Sequence, residues 1–379
     1  MRTAIVLLLA FALLTGCHPD RGQSDRLPRE DSPFTRYASR FDVQAEENYT
    51  LIQVFNPWQN SRNIAYNYVL GNDPDLVPDS LSGFPFIHTP VTRVVAMSTT
   101  HIAMIAGLGE MASIKGASGT PYIFNPEIRE RCDSGLIADV GYGQGLNYEM
   151  VVALEPDVIF LYGVEGNVTT TAGKLTEMGI NVVYCAEYLE QDPLGKAEWI
   201  RFFARFYGRE READLFFSRV DSNYTDLCSK TSSVKEKPEV MIGLPWKDTW
   251  YVAGGNSFAS RLISDAGGSY IWRENSSAEA VPLDLESVFS KAVDADVWIN
   301  PGVAQSIGDL VAFEERFGEL PVVKNGSIYN NNARISTGGG NDYWESATIH
   351  PDWVLADLIS VFHPQLMRDH SMFYYRKLK

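Results

Sequence analysis

Two runs of alternating strands and helices, separated by a long strand-free helical stretch, restrict the fold more than any other feature of the chain. Apolar strand-like segments at 92–98, 114–118, 158–162 and 182–184 make up the first run. Between them lie helical stretches such as 101–108, closed by Gly109, and 170–178, closed by Gly179. From Lys196 to about Lys230 no strand pattern occurs. Ile200, Phe203 and Phe206 recur at helical spacing until Gly208, and then Ala213, Phe216, Val220, Tyr224 and Leu227 form a second apolar stripe. The second run has strands at 240–244, 297–300 and 327–329, a helix at 258–266 before Gly267-Gly268, and a closing helix at 353–362. Such alternation predicts mainly parallel sheets with helices on both faces. The fold class is therefore α/β, with two Rossmann-like lobes joined by a single long helix of about 30 Å and a ligand cleft between them. Alternation at 49–55 and extended character at 65–70 predict a small β unit at the N-terminus.

The first residues carry a processing signal. Arg2 precedes an apolar run at 4–14, shorter than the roughly 20 residues that a membrane-spanning helix needs. Leu14-Thr15-Gly16-Cys17 follows and resembles the lipobox of bacterial lipoproteins. The expected products are a signal peptide at 1–16 and a mature chain whose Cys17 carries the lipid, placing it in the periplasm or cell envelope on a membrane. Several acyl chains anchor far more firmly than one. The polar stretch with Pro19, Pro28 and Pro33 reads as a tether over 17–47. The remaining boundaries are 48–90 for the β unit, 91–195 for the first lobe, 196–236 for the connecting helices and 237–379 for the second lobe. A formal net charge of −16 opposes binding to phosphate backbones, so no nucleic-acid partner is expected. Cys132, Cys185 and Cys228 are an odd set without C-x-x-C spacing, which reads as buried free thiols.

One element occurs in both lobes. Asn147-Tyr148-Glu149 opens a helix that descends into the strand at 158–160, and Asp284-Leu285-Glu286 opens one that descends into the strand at 297–299. A glutamate in the first turn complements the helix dipole, and for either residue alone that is a sufficient account. Together with 93–109, the long helix and 282–300, these segments resemble the iron-complex and cobalamin periplasmic binding protein family over roughly residues 90–365. The resemblance implies a substrate-binding protein that feeds an ABC importer, closing only modestly about a rigid helix. Its cargo would be an iron complex (ferric siderophore or haem) or a corrinoid. It also implies that Glu149 and Glu286 dock on arginines of the membrane subunits.

In such a fold the ligand meets loops at the strand ends. Those loops carry Tyr122, Tyr142 and Tyr162 in the first lobe and Trp246 and Trp250 in the second. The glycine-rich stretch 338–345 adds Asp342, Tyr343 and Trp344, with Arg334 upstream. Aromatic rings offer rigid contact area to bulky ligands, and arginine can clamp anionic groups. The six histidines show no ligand spacing, so neither a metal site nor a resident cofactor is expected; His101 reads as packed or capping. The chain has no G-x-S-x-G, H-E-x-x-H or P-loop motif, and 141–145 lacks dinucleotide-binding spacing. A binding protein is therefore expected, not an enzyme. A surface or periplasmic cargo-transfer lipoprotein without an ABC partner is the competing expectation, with an exported enzyme bearing an α/β cleft behind it.

Overall fold

The computed structural model describes residues 34–163 and 168–379. The expected signal peptide, Cys17 and most of the expected tether lie outside these residues. The first sheet comprises β1 (Phe41–Ala45), β2 (Tyr49–Phe55), β3 (Ala65–Gly71) and β4 (Phe86–His88), paired in that order. The first two pairings are antiparallel and the third is parallel. Ile52 and Val54 point into the core, as the alternation requires.

The tether expectation fails for residues 34–47, which are folded onto the protein. The cause is two buried carboxylates. Glu198 accepts backbone N–H groups from Arg36, Tyr37 and Ala38 at 2.7–3.1 Å. Glu190 accepts those of Ser39 and Arg40 at 2.8–2.9 Å, together with the Trp199 indole N–H. Phe41 then packs against Trp199 and Phe202. A locally polar segment is thus held by partners about 150 residues away.

The first lobe is a parallel sheet of β5 (Val94–Ala96), β6 (Ile114–Ala117), β7 (Ala138–Asp139), β8 (Val158–Leu161) and β9 (Val182–Tyr184), in the order β7-β6-β5-β8-β9. Its central strands β5 and β8 are buried throughout, which accounts for their unbroken apolar runs. The Ser98 hydroxyl accepts the Thr100 N–H and caps the helix Thr99–Gly107.

Two helices lead out of this lobe. Pro193–Tyr207 is almost wholly buried through Trp199, Phe202, Phe203 and Phe206, and Gly208 ends it at a left-handed φ of 63°. Glu210–Thr231 follows with 22 residues, about 33 Å at the standard rise. Its Ala213, Phe217, Val220 and Tyr224 form the buried stripe; Phe217 takes the place expected for Phe216.

The second lobe contains β10 (Glu239–Ile242), β11 (Thr249–Val252), β12 (Ser269–Tyr270), β13 (Val281–Asp284), β14 (Val297–Ile299), β15 (Ile328–Asn330) and β16 (Arg376–Lys377). The main sheet runs β12-β10-β14-β15-β16 and is parallel except at its last pairing. Strands β11 and β13 pair separately and antiparallel. The C-terminus is pinned by Asp357, which accepts the backbone N–H groups of Phe373, Tyr374 and Tyr375 at 2.7–3.1 Å. The fold is thus α/β with two lobes.

Candidate functional site

In open parallel sheets, ligands gather outside the carboxyl ends of the strands where the strand order reverses. That point lies between β5 and β8 in the first lobe and between β10 and β14 in the second. In the first lobe it presents Ser98 and Thr99 after β5 and Tyr162 after β8. Tyr162 is partly buried, and burial raises its hydroxyl pKa. Its ring lies 6.1 Å from that of Tyr188, whose hydroxyl donates to the Gly163 carbonyl at 2.6 Å. Tyr142 stands 71% exposed on a tight turn. Gly141 is required there, because a Cβ would come within 2.2 Å of the Gly145 carbonyl oxygen at a φ of +82°. Tyr122 is also exposed, at the end of the 3₁₀ turn Thr120–Tyr122.

In the second lobe Trp246 is 70% exposed at the mouth of β10. Its turn is closed by reciprocal backbone hydrogen bonds with Thr249 at 2.8 and 3.2 Å. Lys247 and Asn300 both adopt positive φ, at 55° and 51°. For non-glycine residues this is a costly conformation that clusters at functional sites. Asn300 follows β14 directly, and Val303 beyond it is almost fully exposed. Neither was singled out from the sequence. A strand end followed by Asn300-Pro301-Gly302 was the available signal, since asparagine tolerates the left-handed region.

The segment after β15 reaches across to the first lobe. Glu345 is 3% exposed, and its carboxylate accepts the Phe124 and Asn125 N–H groups at 2.7 and 2.9 Å. Desolvation pushes its pKa up to about 7, against the lowering effect of those two hydrogen bonds. The Thr99 hydroxyl donates to the Trp344 carbonyl at 3.1 Å. Gly338 and Gly340 press on the Pro121 and Tyr122 carbonyl oxygens, each of which would lie 2.3 Å from an added Cβ. These contacts bring the chain at Thr99 and Tyr122 against the segment that carries the exposed Trp344. Arg334 sits between the rings of Phe124 and Phe373, at 4.9 and 4.2 Å.

Two expected ligand contacts need correction. Trp250 is 1% exposed; it packs on Trp298 and Phe317 and donates its indole N–H to the Ile242 carbonyl. It lies within β11, where Trp250 and Val252 face the core and Tyr251 faces out. Asp342 is buried and ion-paired with Arg334 at 2.7 Å, so its charge is already matched within the protein. Tyr343 packs among Trp344, Tyr374 and Tyr375 and is only partly buried. Arg334, Tyr122, Tyr142, Tyr162, Trp246, Tyr343 and Trp344 remain accessible at least in part.

Two hollows lie away from these strand ends. One of 810 Å³, bordered by Lys235, Pro238, Asp296 and Phe362, is at the amino ends of β10 and β14. Another of 460 Å³ lies between β3 and the helix Val168–Glu177. Neither has the topology of a ligand site in such sheets, and the strand-end crevice is the better candidate.

Glu149 and Glu286 each stand in the first turn of a short helix, Tyr148–Ala153 and Leu285–Ala292, capped by Asn147 and Asp284. Both are exposed. Glu286 pairs with Arg316 at 2.6 Å in an open setting, where such contacts contribute little.

Residues 94–334 match the model of the periplasmic binding protein family, and the chain belongs to that family. It is a binding protein, not an enzyme. An uncharacterized lipoprotein of Methanocaldococcus jannaschii is 27% identical, the match covering 98% of this chain and 95% of the relative. A vitamin B12-binding protein of Vibrio parahaemolyticus is 24% identical, covering 68% of this chain and 87% of that protein. The crystal structure of a periplasmic heme binding protein from Pseudomonas aeruginosa shares the fold, with a TM-score of 0.55 and 16% identity over 72% of this chain and 93% of that one.

Proposed function

We propose that this protein captures an iron complex (a ferric siderophore or haem) or a corrinoid between its lobes and delivers it to the membrane subunits of an ABC importer, held to the membrane by lipid on Cys17. The observation that carries this reading is the set of exposed rings at strand carboxyl ends in both lobes: Tyr142 in one, Trp246 in the other, with Trp344 beside Thr99. Large flat or chelated cargo is recognised by such rigid aromatic surface. The names of the heme-binding and vitamin B12-binding relatives fit the same cargo range.

Titrating the protein with a ferric siderophore, haem and cobalamin while following tryptophan fluorescence tests the cargo. One of the three is expected to bind with a Kd of about 1 μM or tighter. Trp246→Ala and Trp344→Ala should each weaken that binding by about 30-fold, the usual cost of losing an aromatic anchor of about 2 kcal/mol. Calorimetric silence with all three cargoes would sink the proposal.

Delivery is tested separately. Glu149→Arg combined with Glu286→Arg is expected to abolish uptake in cells while leaving cargo affinity within about twofold, because exposed charges guide docking more than they hold ligand. Unchanged uptake would favour cargo transfer without an ABC partner.

A further inference from the structure

Behind the wall formed by Tyr162, three residues from two segments far apart in sequence converge. His101 comes from the helix Thr99–Gly107, and Cys185 and Glu187 come from the turn after β9. One ligand-type atom from each lies within 4.8 Å of the others, and all three residues are buried. His101 Nε2 is 3.6 Å from the Glu187 carboxylate. Both ring nitrogens of His101, which is 0% exposed, and the Glu187 Oε2 atom have no hydrogen-bond partner. The Phe160 backbone is near enough to perturb the imidazole but lacks hydrogen-bond geometry. Its carbonyl already accepts the Met97 N–H. Buried polar atoms without partners are rare because each costs about 1–3 kcal/mol. Here His101 Nε2 and the Glu187 carboxylate face each other across a buried space that Cys185 also borders.

We infer that His101, Cys185 and Glu187 form a binding site for one divalent cation of the Zn²⁺ class. One imidazole nitrogen, one thiolate and one carboxylate are the donor types that zinc takes. The edge of a tetrahedral zinc site is about 3.5 Å, so the His101–Glu187 separation already fits and the thiol must close by about 1 Å. The site is charge-balanced: thiolate and carboxylate together neutralise Zn²⁺, which matters where water is excluded. On binding, the Cys185 S–H bond gives its proton to solvent and the sulfur forms the metal bond. Burial keeps that thiol protonated without the metal and holds His101 neutral, the form that ligates. The Thr100 hydroxyl, which donates to Glu187 at 2.6 Å, orients the carboxylate. Lys196 lies near Glu187 and Glu190 on the helix Pro193–Tyr207, its ammonium 4.2 Å over the Phe258 ring, and burial lowers its pKa against the opposing pull of those two carboxylates. The metal would tie the helix Thr99–Gly107 to the β9 turn directly under Tyr162, whose ring lies 6.0 Å from that of His101.

The test uses the full chain, purified in detergent, stripped with a chelator and titrated with Co²⁺ and then Zn²⁺. One Co²⁺ per chain is expected, with a thiolate-to-cobalt charge-transfer band and ligand-field bands of tetrahedral intensity that Zn²⁺ erases. Cys185→Ser should abolish the charge-transfer band, while Cys17→Ser, Cys132→Ser and Cys228→Ser leave it intact. His101→Asn and Glu187→Gln should each weaken Zn²⁺ binding about 100-fold or more. Absence of the band, or its persistence in Cys185→Ser, overturns the inference. Should Cys185→Ser fail to fold, the other two variants decide, and unchanged Zn²⁺ affinity in both refutes the site. Cargo titrations are read independently, so this site and the proposed function can fail separately.

Discussion

Glu198→Ala is expected to lower the unfolding free energy by about 3–5 kcal/mol, the range seen when one partner of a buried charged network is removed. Three backbone N–H groups, those of Arg36, Tyr37 and Ala38, converge on this carboxylate, and the Arg201 guanidinium joins them at 3.1 Å. Alanine leaves the three backbone groups without an acceptor inside the protein, while Arg201 keeps Asp214 and the Phe34 carbonyl. The chain has one escape: residues 34–40 can peel away and find water, which limits the loss to the free energy of docking that segment. Two measurements separate the outcomes. Urea unfolding reports the global loss, and limited proteolysis reports peeling, seen as rapid cleavage before β1. Glu198→Gln keeps one acceptor oxygen and should lose less. A Glu198→Ala protein within about 1 kcal/mol of wild type, and equally resistant to protease, would contradict this account.

Stability is also expected to fall as pH rises from about 4.5 to about 7, through Glu345. Its folded pKa, raised to about 7 from an ordinary 4.5, means that the folded state binds this proton more tightly than the unfolded chain does. The stabilisation is therefore complete below pH 4.5 and lost as pH climbs through 7. Its size is about 3 kcal/mol, since a tenfold difference in proton affinity between folded and unfolded chain is worth about 1.4 kcal/mol. Other groups titrate in the same window, so the diagnostic is a difference. Glu345→Gln cannot ionise and should flatten the wild-type decline between pH 5 and 8. It should also be less stable at pH 5, because its amide N–H₂ meets a backbone N–H donor where a carboxyl oxygen stood. An identical pH slope in both proteins would refute the assignment.

Much of the fold was legible because its signals are local. Ser98 before a helix, Gly208 after one, and strands such as 158–161 that are apolar on both faces each announce themselves within a few residues. What was not legible depends on distant partners. The stretch 34–47 looks polar and mobile until Glu190 and Glu198 are brought to it. Asp342 looks free for a ligand until Arg334 closes on it. Trp250 is a different case: Thr249-Trp250-Tyr251-Val252 has no polar–apolar alternation to say which ring faces inward, and only the structure puts Trp250 in the core and Tyr251 outside. His101, Cys185 and Glu187 are separated by up to 86 positions, and no spacing rule joins them.

The two glycines that press on Pro121 and Tyr122 have a consequence for how such a protein can change its cargo. Main chain meets main chain there, so an alanine at 338 or 340 would act as a shim and prise that rim apart. The gape of the jaws on that side is fixed by the thickness of a peptide. Accommodation of a bulkier or slimmer cargo then falls to exchange of the protruding rings at 122, 142, 246 and 344, which can be swapped without disturbing the frame that carries them.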